Sequence, residues 1–273
     1  MKIRKLGALG AELSALGALE KLSDDCVRAI RSAWLEHHVV FVREAFLSPA
    51  ALMDFSRRFG EPMDYPFLDG LAAYPKVTEV RKRAHETVNF GGIWHSDTSY
   101  LAEPPMATIL IARVVPPYGG DTLFADLQLA YEALSAGMKR TLNDLKAINS
   151  SARADATRTR EDRIRERGRT DAAAEYLAEH PVVRTHPETG GRSLYVNPAH
   201  TVRFAGMTEE ESAPLLGYLF AHCVRPEFTC RFSWSEGALA LWDNRCTLHY
   251  PVNDYHGHER LMHRVTLKGE KPF

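Results

Sequence analysis

The sequence has no surplus of charge of either sign. Its 34 lysines and arginines nearly balance 35 aspartates and glutamates, so that the 273 residues carry a formal net charge of -1. Proteins that bind nucleic acids usually have a basic patch and a high isoelectric point. The composition therefore predicts no nucleic-acid partner, and it leaves the recognition of any anion to a few individually placed arginines.

Long apolar runs and paired cysteines are missing as well. No segment approaches the roughly 20 apolar residues that a membrane span needs, and the first residues contain no sustained apolar stretch of the kind found in signal peptides. A chain of this length does not need disulfides for stability. We therefore expect no membrane contact, a cytoplasmic location and free thiols. The cysteines form no CxxC pair: they are Cys26, Cys223, Cys230 and Cys246.

The chain is long enough for one large domain with its own core. No internal repeat and no composition shift marks a boundary, so we predict a single domain over residues 1–273. The segment 151–179 differs from the rest because it is rich in arginine and alternates in charge. It is either a solvated helical face or a mobile lid over the site, since long connections in compact domains are often lids.

Hydrophobic periodicity predicts a helical start. Residues 23–38 begin with a Ser/Asp cap and carry apolar residues at helical spacing. The run VVFV at 39–42 is β-branched and predicts a buried strand. Ser48 precedes a second amphipathic helix that stops at Gly60. We expect this helix–strand–helix unit to pack on the outside of a sheet.

Short strands dominate from residue 106 onward. Helices are expected at about 127–147 and at 208–223, where Thr208 opens a capping box. Many short strands separated by turns are typical of a sandwich or a jelly roll, so the predicted fold is mainly β with flanking helices. The candidate strands are 107–114, 121–126, 182–186, 193–197, 228–234, 238–244 and 263–269.

The His-x-Asp motif at residues 95–97 offers two potential metal ligands. On an extended segment, residues i and i+2 point to the same side, so His95 and Asp97 can bring an imidazole and a carboxylate to one point. The best candidate for a further ligand is His249, which follows a predicted strand and a turn. Two histidines and one carboxylate on one face of an octahedron leave three positions open, which is typical of non-haem Fe(II) oxygenases. The motif alone is weak evidence, because the chain contains twelve histidines.

Two arginines and a threonine are candidates for binding anions beside this centre. Arg260 and Arg264 lie at the start of the last predicted strand, where residues i and i+4 face the same way. A guanidinium binds a carboxylate through a bidentate fork, so one arginine could hold the distal carboxylate of a 2-oxo acid and the other an anionic substrate. Thr122 follows the glycine turn at 119–120 and could donate to the same carboxylate. Without the metal motif, these residues would indicate only an edge strand and a turn.

With these residues in place, the sequence resembles the family of taurine dioxygenase and 2,4-dichlorophenoxyacetate dioxygenase. The resemblance covers nearly the whole chain and is most specific in its last stretch, which is closest to the taurine branch. It implies a double-stranded β-helix, or jelly roll, with flanking helices, assembled as a homodimer or homotetramer. The matching stretches are 39–61, 94–110, 116–135, 180–197 and 242–273.

The resemblance implies a role for each candidate residue. The iron ligands of the family match His95, Asp97 and His249. The residues that hold the distal carboxylate of 2-oxoglutarate match Thr122 and Arg260. The arginine that meets the sulfonate of taurine matches Arg264, and a position whose backbone amide contacts that substrate matches Thr98.

Two departures concern the substrate. In taurine dioxygenases a histidine in the segment after Phe-Gly-Glu binds the sulfonate, and an asparagine shortly before the His-x-Asp motif contacts taurine. Here the segments 62–66 and 90–93 contain neither residue, although Tyr65 offers a donor of different reach. A pocket that has lost such donors rejects the ligand that needed them, so we predict that taurine is a poor substrate.

The predicted function is an Fe(II)- and 2-oxoglutarate-dependent dioxygenase that uses O₂ to hydroxylate a C–H bond and releases succinate and CO₂. The predicted substrate is a small anion such as a taurine-like sulfonate, a sulfate ester or an aryloxy acid. One alternative is a biosynthetic hydroxylase of an amino acid-like or aromatic substrate. Others are a non-catalytic jelly-roll binding protein and a zinc hydrolase on a similar fold.

Overall fold

The computed structural model describes residues 1–66, 68–153 and 176–273. Most of the segment 151–179, for which a helical face and a lid were the two expectations, therefore lies outside the described residues. None of the described helices is long and apolar enough to cross a bilayer. The described α-helices are α1 (Asp24–His37), α2 (Pro49–Arg57), α3 (Leu127–Glu132), α4 (Ala136–Leu142) and α5 (Glu209–Cys223), with 3₁₀ turns at Leu19–Lys21 and Pro226–Phe228.

Among the described residues, strands contain more of the chain than helices do. They are β1 (Lys2–Lys5), β2 (Ala11–Ser14), β3 (Val39–Val42), β4 (Pro62–Met63), β5 (Gly70–Leu71), β6 (Tyr74–Lys82), β7 (Ala107–Val114), β8 (Thr122–Asp126), β9 (Lys146–Ser150), β10 (Leu177–Pro181), β11 (Val183–Thr185), β12 (Arg192–Leu194), β13 (Thr201–Phe204), β14 (Thr229–Phe232), β15 (Leu239–Asp243), β16 (Thr247–Pro251) and β17 (Arg260–Leu267).

Two of the sheets carry the site. The major sheet has the strand order β1-β2-β3-β15-β7-β17-β6-β5, with β4 also paired to β17, and the minor sheet has the order β14-β8-β16. Pairing is antiparallel in both, apart from the parallel pair β2–β3. Smaller sheets join β10-β9-β13 and β11-β12.

The central strands of the major sheet are buried on both faces. On β15, Leu239 and Leu241 belong to the cluster that packs against α1 and α2. Ala240 and Trp242 alternate with them and belong to the cluster shared with the minor sheet. This period of two is what a strand between two layers requires.

Aromatic rings fill the space between the two sheets. Phe41 of β3 stacks on Phe232 of β14 at a centroid distance of 4.0 Å, and its edge meets Phe124 of β8 at 5.6 Å. Each ring buries a large apolar area, and stacked and edge-to-face pairs add to that burial. The predicted jelly roll with flanking helices is confirmed.

Local sequence signals explain the helix boundaries. Ser23 and Ser48 cap α1 and α2 by accepting hydrogen bonds from Cys26 N and Ala51 N, and Thr208 opens α5 with the predicted capping box. Such caps satisfy amide groups that have no partner within the helix. The predicted strands at 39–42 and 107–114 agree with β3 and β7 at both ends.

One expectation about the opening unit was wrong. Helices α1 and α2 do cover the outside of the sheet, but β3 is a member of the sheet and pairs with both β15 and β2. The run of four apolar residues at 39–42 reflects this central place, because both faces of the strand are buried.

Candidate metal centre and anion pocket

Three potential ligands meet between the two sheets. His95 and His249 form a β-bridge in which each backbone N–H donates to the other's carbonyl, at 3.0 and 2.8 Å. The Nε2 atoms of both histidines lie 3.9 Å from Asp97 Oδ1. Two atoms that each lie about 2.1 Å from one ion can be at most about 4.2 Å apart, so both distances suit a shared ion.

Strand alternation explains why His249 points inward. It lies on β16 between residues of opposite face, and its neighbour Leu248 packs outward with α3 and α5. Phe124 of β8 is the register partner of His249 and belongs to the core between the sheets. The sequence analysis placed His249 just after a turn. In the structure, a further strand, β16, follows that turn and contains His249.

Hydrogen bonds fix the tautomer of His95. Its Nδ1 lies 2.7 Å from the carbonyl of Ile93, which can only accept, so the proton is on Nδ1 and the lone pair of Nε2 faces Asp97. Burial, together with the neighbouring charge of His95, lowers the pKa of His249 well below its usual value. His249 is therefore neutral, which is the form that binds metals, and His95 presents its Nε2 atom to the same point.

Asp97 is held as a carboxylate. Thr108 on β7 donates to its Oδ2 at 2.6 Å, and Asn244 donates in turn to Thr108 at 2.9 Å. Burial alone would raise the pKa of Asp97, but the neighbouring His249 and Arg264 and the Thr108 hydrogen bond lower it to about 2.

The chemistry of this donor set fits a cation. Two imidazole nitrogens and a carboxylate oxygen lie within 4.8 Å of one another, and all three residues are buried. Three lone-pair donors without a proton between them repel one another until a positive ion lies at their centre. The residues present therefore suit a divalent metal.

A second group of potential ligands does not suit a metal. His186, Asp243 and Cys246 also come within 4.8 Å of one another. Both oxygens of Asp243 are already engaged by Arg245, at 2.8 and 2.7 Å, and burial raises the pKa of the Cys246 thiol well above its usual value. This cluster is an internal ion pair beside α1 rather than a metal site.

A buried arginine without a carboxylate partner lies at the start of β17. Arg260 donates from Nε to the carbonyl of Gly120 at 3.1 Å, whereas its Nη2 has no hydrogen-bond partner. Burial lowers the pKa of this guanidinium, because no ion-paired carboxylate offsets the cost of removing its charge from water. Among the described residues, none provides a carboxylate within ion-pair distance of it.

Thr122 and Trp234 border the same guanidinium. Thr122 begins β8, and Asp121 separates it from two glycines with φ of 69° and 68°. Trp234 Nε1 donates a hydrogen bond to Thr122 Oγ1 at 2.9 Å. The hydroxyl proton of Thr122 is therefore free to be donated to another acceptor. The Trp234 ring lies 5.7 Å from Cζ of Arg260.

Arg264 lies next to the ligand group. Its Nη1 is 3.5 Å from Asp97 Oδ1, while Nε and Nη2 are buried without a partner. Tyr65 places its ring 4.0 Å from the guanidinium carbon, and Phe90 lies at 5.7 Å. The predicted i, i+4 relation thus brings both arginines to the inner face of β17, and neither is exposed on an edge strand.

Four further polar residues come from the segments considered for substrate contact: Thr98, Asp64, His85 and Asn89. Thr98 is buried in the left-handed region, with φ of 40°, and its hydroxyl has no partner. Asp64 and His85 are exposed. Asn89 is buried, but its side-chain amide donates to the carbonyl of Pro251 at 2.9 Å. Like-charge repulsion from Asp64 therefore does not reach the pocket.

Sequence reasoning missed Thr108, Asn244 and Trp234. Thr108 left a signal, because it is a polar residue within the otherwise apolar run ATILI, and polar groups buried in strands need partners. Asn244 and Trp234 left none, since their partners are far away in sequence and are set by strand register.

Comparison with known proteins places this site in a family. The chain matches the family described as taurine catabolism dioxygenase TauD, TfdA family, over residues 2–266. It is 32% identical over 275 residues to an alkylsulfatase of Acinetobacter baylyi, covering 99% of this chain and 86% of that protein. It is also 32% identical to an alpha-ketoglutarate-dependent sulfate ester dioxygenase of Pseudomonas putida, covering 97% of this chain and 88% of that one.

A solved structure agrees with these relatives. A taurine dioxygenase from Burkholderia xenovorans superposes with a TM-score of 0.83 and 36% identity, over 99% of this chain and 90% of that chain. The predicted family resemblance, fold and enzyme class are confirmed, with 2-oxoglutarate (alpha-ketoglutarate) and a metal implied. This chain belongs to the TauD, TfdA family of alpha-ketoglutarate-dependent dioxygenases.

Proposed function

We propose that this protein is an Fe(II)-dependent dioxygenase in which His95, Asp97 and His249 bind the metal. It couples the oxidative decarboxylation of 2-oxoglutarate to succinate and CO₂ with the hydroxylation of a C–H bond in a small organic anion. The observation that carries this proposal is the buried set of two imidazoles and one carboxylate, flanked by two buried guanidiniums with unpartnered N–H groups.

The ligand set favours iron over zinc. Two histidines and one carboxylate leave three coordination positions open, as in non-haem Fe(II) oxygenases. When bound there with 2-oxoglutarate, Fe(II) supplies the activation of O₂. The residues of this chain hold the ligands: Thr108 and Asn244 orient Asp97, and the Ile93 carbonyl orients His95. Such supporting contacts commonly affect metal affinity about 10- to 100-fold.

Arg260 and Thr122 are proposed to bind the distal carboxylate of 2-oxoglutarate. The Arg260 Nη2 group lacks an acceptor, and the Thr122 hydroxyl can donate because its oxygen already accepts from Trp234. A carboxylate between them would satisfy a buried cation that has none of its own. Gly120 makes room, since a Cβ there would lie 3.2 Å from Arg260 Cδ.

Arg264 is proposed to bind the anionic group of the primary substrate. Its free N–H groups lie beside the ligand set, while the rings of Tyr65 and Phe90 flank its guanidinium. The backbone amide of Thr98 adds a further donor. A pocket with aromatic walls around one arginine favours an anion with an apolar body, such as an alkyl sulfate, a longer sulfonate or an aryloxy acid.

A substrate screen that reads succinate tests the function. With Fe(II), 2-oxoglutarate and O₂, we expect one of these anions to drive succinate formation in proportion to O₂ uptake, and His249→Ala to abolish it. Anaerobic addition of Fe(II) and 2-oxoglutarate should give a visible charge-transfer band that the variant lacks. A zinc hydrolase would consume no O₂, and a binding protein would form no succinate above the uncoupled background.

The runner-up is a biosynthetic hydroxylase of an amino acid-like or aromatic substrate. The aromatic rings beside Arg264 favour this alternative over a taurine enzyme, because they replace polar contacts with apolar surface. Amino acids and aromatic acids therefore belong in the same screen. Turnover of one of them in preference to sulfates, sulfonates and aryloxy acids would move the assignment to this class.

Four further properties remain part of the proposal. We propose a single catalytic domain over residues 1–273, assembled as a homodimer or homotetramer, with small molecules as its partners. A cytoplasmic location is supported by free cysteines, since thiols persist in a reducing compartment. Sedimentation at several concentrations tests the assembly.

A further inference from the structure

A second cation lies beside Arg260. Lys82 is the last residue of β6 and the register partner of Arg260 on β17. Directly opposed residues of an antiparallel pair project from the same face, with Cβ atoms about 4.5–5.5 Å apart. Lys82 is only 2% exposed, so its side chain lies inside with that of Arg260.

The ammonium group of Lys82 has no hydrogen-bond partner. Its Nζ lies 4.5 Å from the centre of the Tyr255 ring, a cation–π contact that offers no proton acceptor. Burial lowers the pKa of Lys82, and the charge of Glu86 opposes this effect only in part. A lysine ammonium is strongly hydrated, so holding it buried without an acceptor is costly.

Tyr255 connects this lysine to the proposed 2-oxoglutarate site. A Cβ at Gly120 would lie 3.3 Å from the Tyr255 ring and 3.2 Å from Arg260 Cδ. Lys82, Tyr255 and Arg260 therefore gather at the glycine turn that leads into Thr122. Two cations share one buried end of the pocket, and among the described residues neither forms an ion pair. An anion that binds between them supplies the negative charge that both side chains lack.

We propose that Lys82 is a second anchor for the distal carboxylate of 2-oxoglutarate. The proposal rests on the proposed function, in which Arg260 binds that carboxylate. Arg260 contributes a planar fork that orients the carboxylate, and Lys82 contributes a point charge on a flexible stem. Together they make the pocket selective for 2-oxo acids that end in a carboxylate.

The test compares two 2-oxo acids in three variants. The probes are 2-oxoglutarate and 2-oxopentanoate, which have equal chain length but differ in the distal carboxylate, titrated calorimetrically into anaerobic Mn(II)-loaded protein. Lys82→Met removes the charge and keeps the stem, and Lys82→Arg restores a cation. Lys76→Met is the matched control, because Lys76 lies on the same strand with its ammonium already bound to the Pro62 carbonyl.

We expect Lys82→Met to weaken 2-oxoglutarate binding about 10-fold or more, the usual loss for a charge-assisted contact, and to leave 2-oxopentanoate binding within about twofold. Lys82→Arg should recover most of the loss, and Lys76→Met should change neither affinity. Unchanged 2-oxoglutarate affinity in Lys82→Met overturns the proposal. Equal losses for both probes also overturn it, because they indicate altered packing rather than a lost charge.

Arg260→Met separates this inference from the proposed function. If that variant loses the preference for 2-oxoglutarate and Lys82→Met keeps it, only the role of Lys82 is wrong. If the wild-type protein binds both probes equally and Arg260→Met alters neither affinity, the assignment of this pocket to the distal carboxylate fails, and the inference fails with it.

Discussion

Arg260 and Arg264 lie four residues apart on one face of β17, yet their surroundings differ. Arg260 contacts the Gly120 carbonyl and the Trp234 ring and forms no ion pair with a described carboxylate, whereas Arg264 lies 3.5 Å from the carboxylate of Asp97. A guanidinium without any anion gains most when an anionic ligand arrives. This difference supports Arg260 as the co-substrate residue and Arg264 as the residue next to the metal and the substrate.

Arg260→Ala should therefore raise the KM for 2-oxoglutarate far more than that for the primary substrate. Loss of a buried, charge-assisted contact corresponds to about 2–4 kcal/mol, or roughly 30- to 1,000-fold. Thr122→Val should act in the same direction with a smaller effect. Steady-state kinetics with each substrate varied in turn checks this, and an unchanged KM for 2-oxoglutarate would remove Arg260 from the site.

Thr108 makes the charge of Asp97 sensitive to a single hydroxyl. The folded-state pKa of Asp97 is lowered from 3.8 to about 2. The unfolded chain thus binds the proton more readily, and the stability that the carboxylate contributes is present above about pH 4 and lost as the pH falls toward 2. Thr108→Val removes the 2.6 Å hydrogen bond and should raise that pKa.

We expect metal-free Thr108→Val to lose about 1–3 kcal/mol of unfolding free energy at neutral pH. The loss should shrink between about pH 4 and pH 2, because Asp97 becomes protonated in both proteins. Urea unfolding across this range measures the difference. A deficit that stays constant with pH would assign the effect to packing around the substituted side chain rather than to the carboxylate.

Residue types pointed to the candidate metal ligands and the arginines, but not to the residues that contact them. The i, i+2 and i, i+4 relations within one strand are visible in a sequence. The bond from Trp234 to Thr122 joins residues 112 positions apart, and the opposition of Lys82 and Arg260 depends on the register between β6 and β17. Such partners become visible only when strand pairing is known.

At the scale of elements, strand β16 shows why a strand can escape recognition in a sequence. The predicted strand at 238–244 and the turn after it agree with β15, but β16 went unrecognised. Its sequence, TLHYP, carries the proposed ligand His249 and a proline in place of the alternating apolar residues that mark an ordinary strand. Because a histidine and a proline occupy these positions, the alternation by which a strand is recognised in a sequence is missing.

A buried ion pair joins two helices near the site. His38 follows α1 in the left-handed region with φ of 62°, and its Nδ1 lies 2.9 Å from Asp126 Oδ2. The other oxygen of Asp126 caps α3 by accepting from Gln128 N and Leu129 N. Burial alone would lower the pKa of His38, but the hydrogen bond and charge of Asp126 raise it above its usual value.

Asp126→Asn should keep the α3 cap and lose the charged partner of His38. A raised folded-state pKa contributes stability below the unfolded value of about 6.5, which is lost as the pH rises through the folded-state pKa. The variant should therefore be less stable than the wild type by about 1–2 kcal/mol at pH 6, with a smaller deficit at pH 9. Thermal unfolding at both values tests this.

The exposed pair Asp54–Arg57 provides the control. Asp54→Asn removes an equal charge from a surface ion pair on α2, and such pairs contribute little to stability. We expect a change below about 0.5 kcal/mol at both pH values. A deficit in Asp126→Asn as large at pH 9 as at pH 6 would contradict the proposed role of protonated His38.

At the scale of the whole molecule, the site is assembled from segments distant in sequence. The metal candidates come from the 95–97 segment and from β16, the arginines from β17, and Thr122 from β8. The aromatic wall comes from Tyr65 and Phe90, which lie in connections of the major sheet. The strands of a jelly roll hold the reaction centre, and its connections select the substrate.

Because the substrate contacts come from these connections, we predict that taurine is a poor substrate, although a taurine dioxygenase is among the similar structures. The segment 62–66 supplies Tyr65 in place of an imidazole, and Gly91 and Gly92 supply no side-chain amide. Asn89 is committed to the Pro251 carbonyl. Each missing charge-assisted contact costs about 1.5–3 kcal/mol, so two losses predict a kcat/KM at least about 100-fold below that of a dedicated taurine enzyme.

Sulfite release and O₂ uptake with taurine, measured beside alkyl and aromatic sulfonates, check this prediction. Sulfonates with a larger apolar body should be preferred, because the rings of Tyr65 and Phe90 provide apolar surface close to Arg264. Tyr65→His restores an imidazole and should narrow the gap in favour of taurine. Efficient turnover of taurine by the wild-type protein would mean that the Tyr65 phenol replaces the missing donors, and Tyr65→Phe should then abolish it.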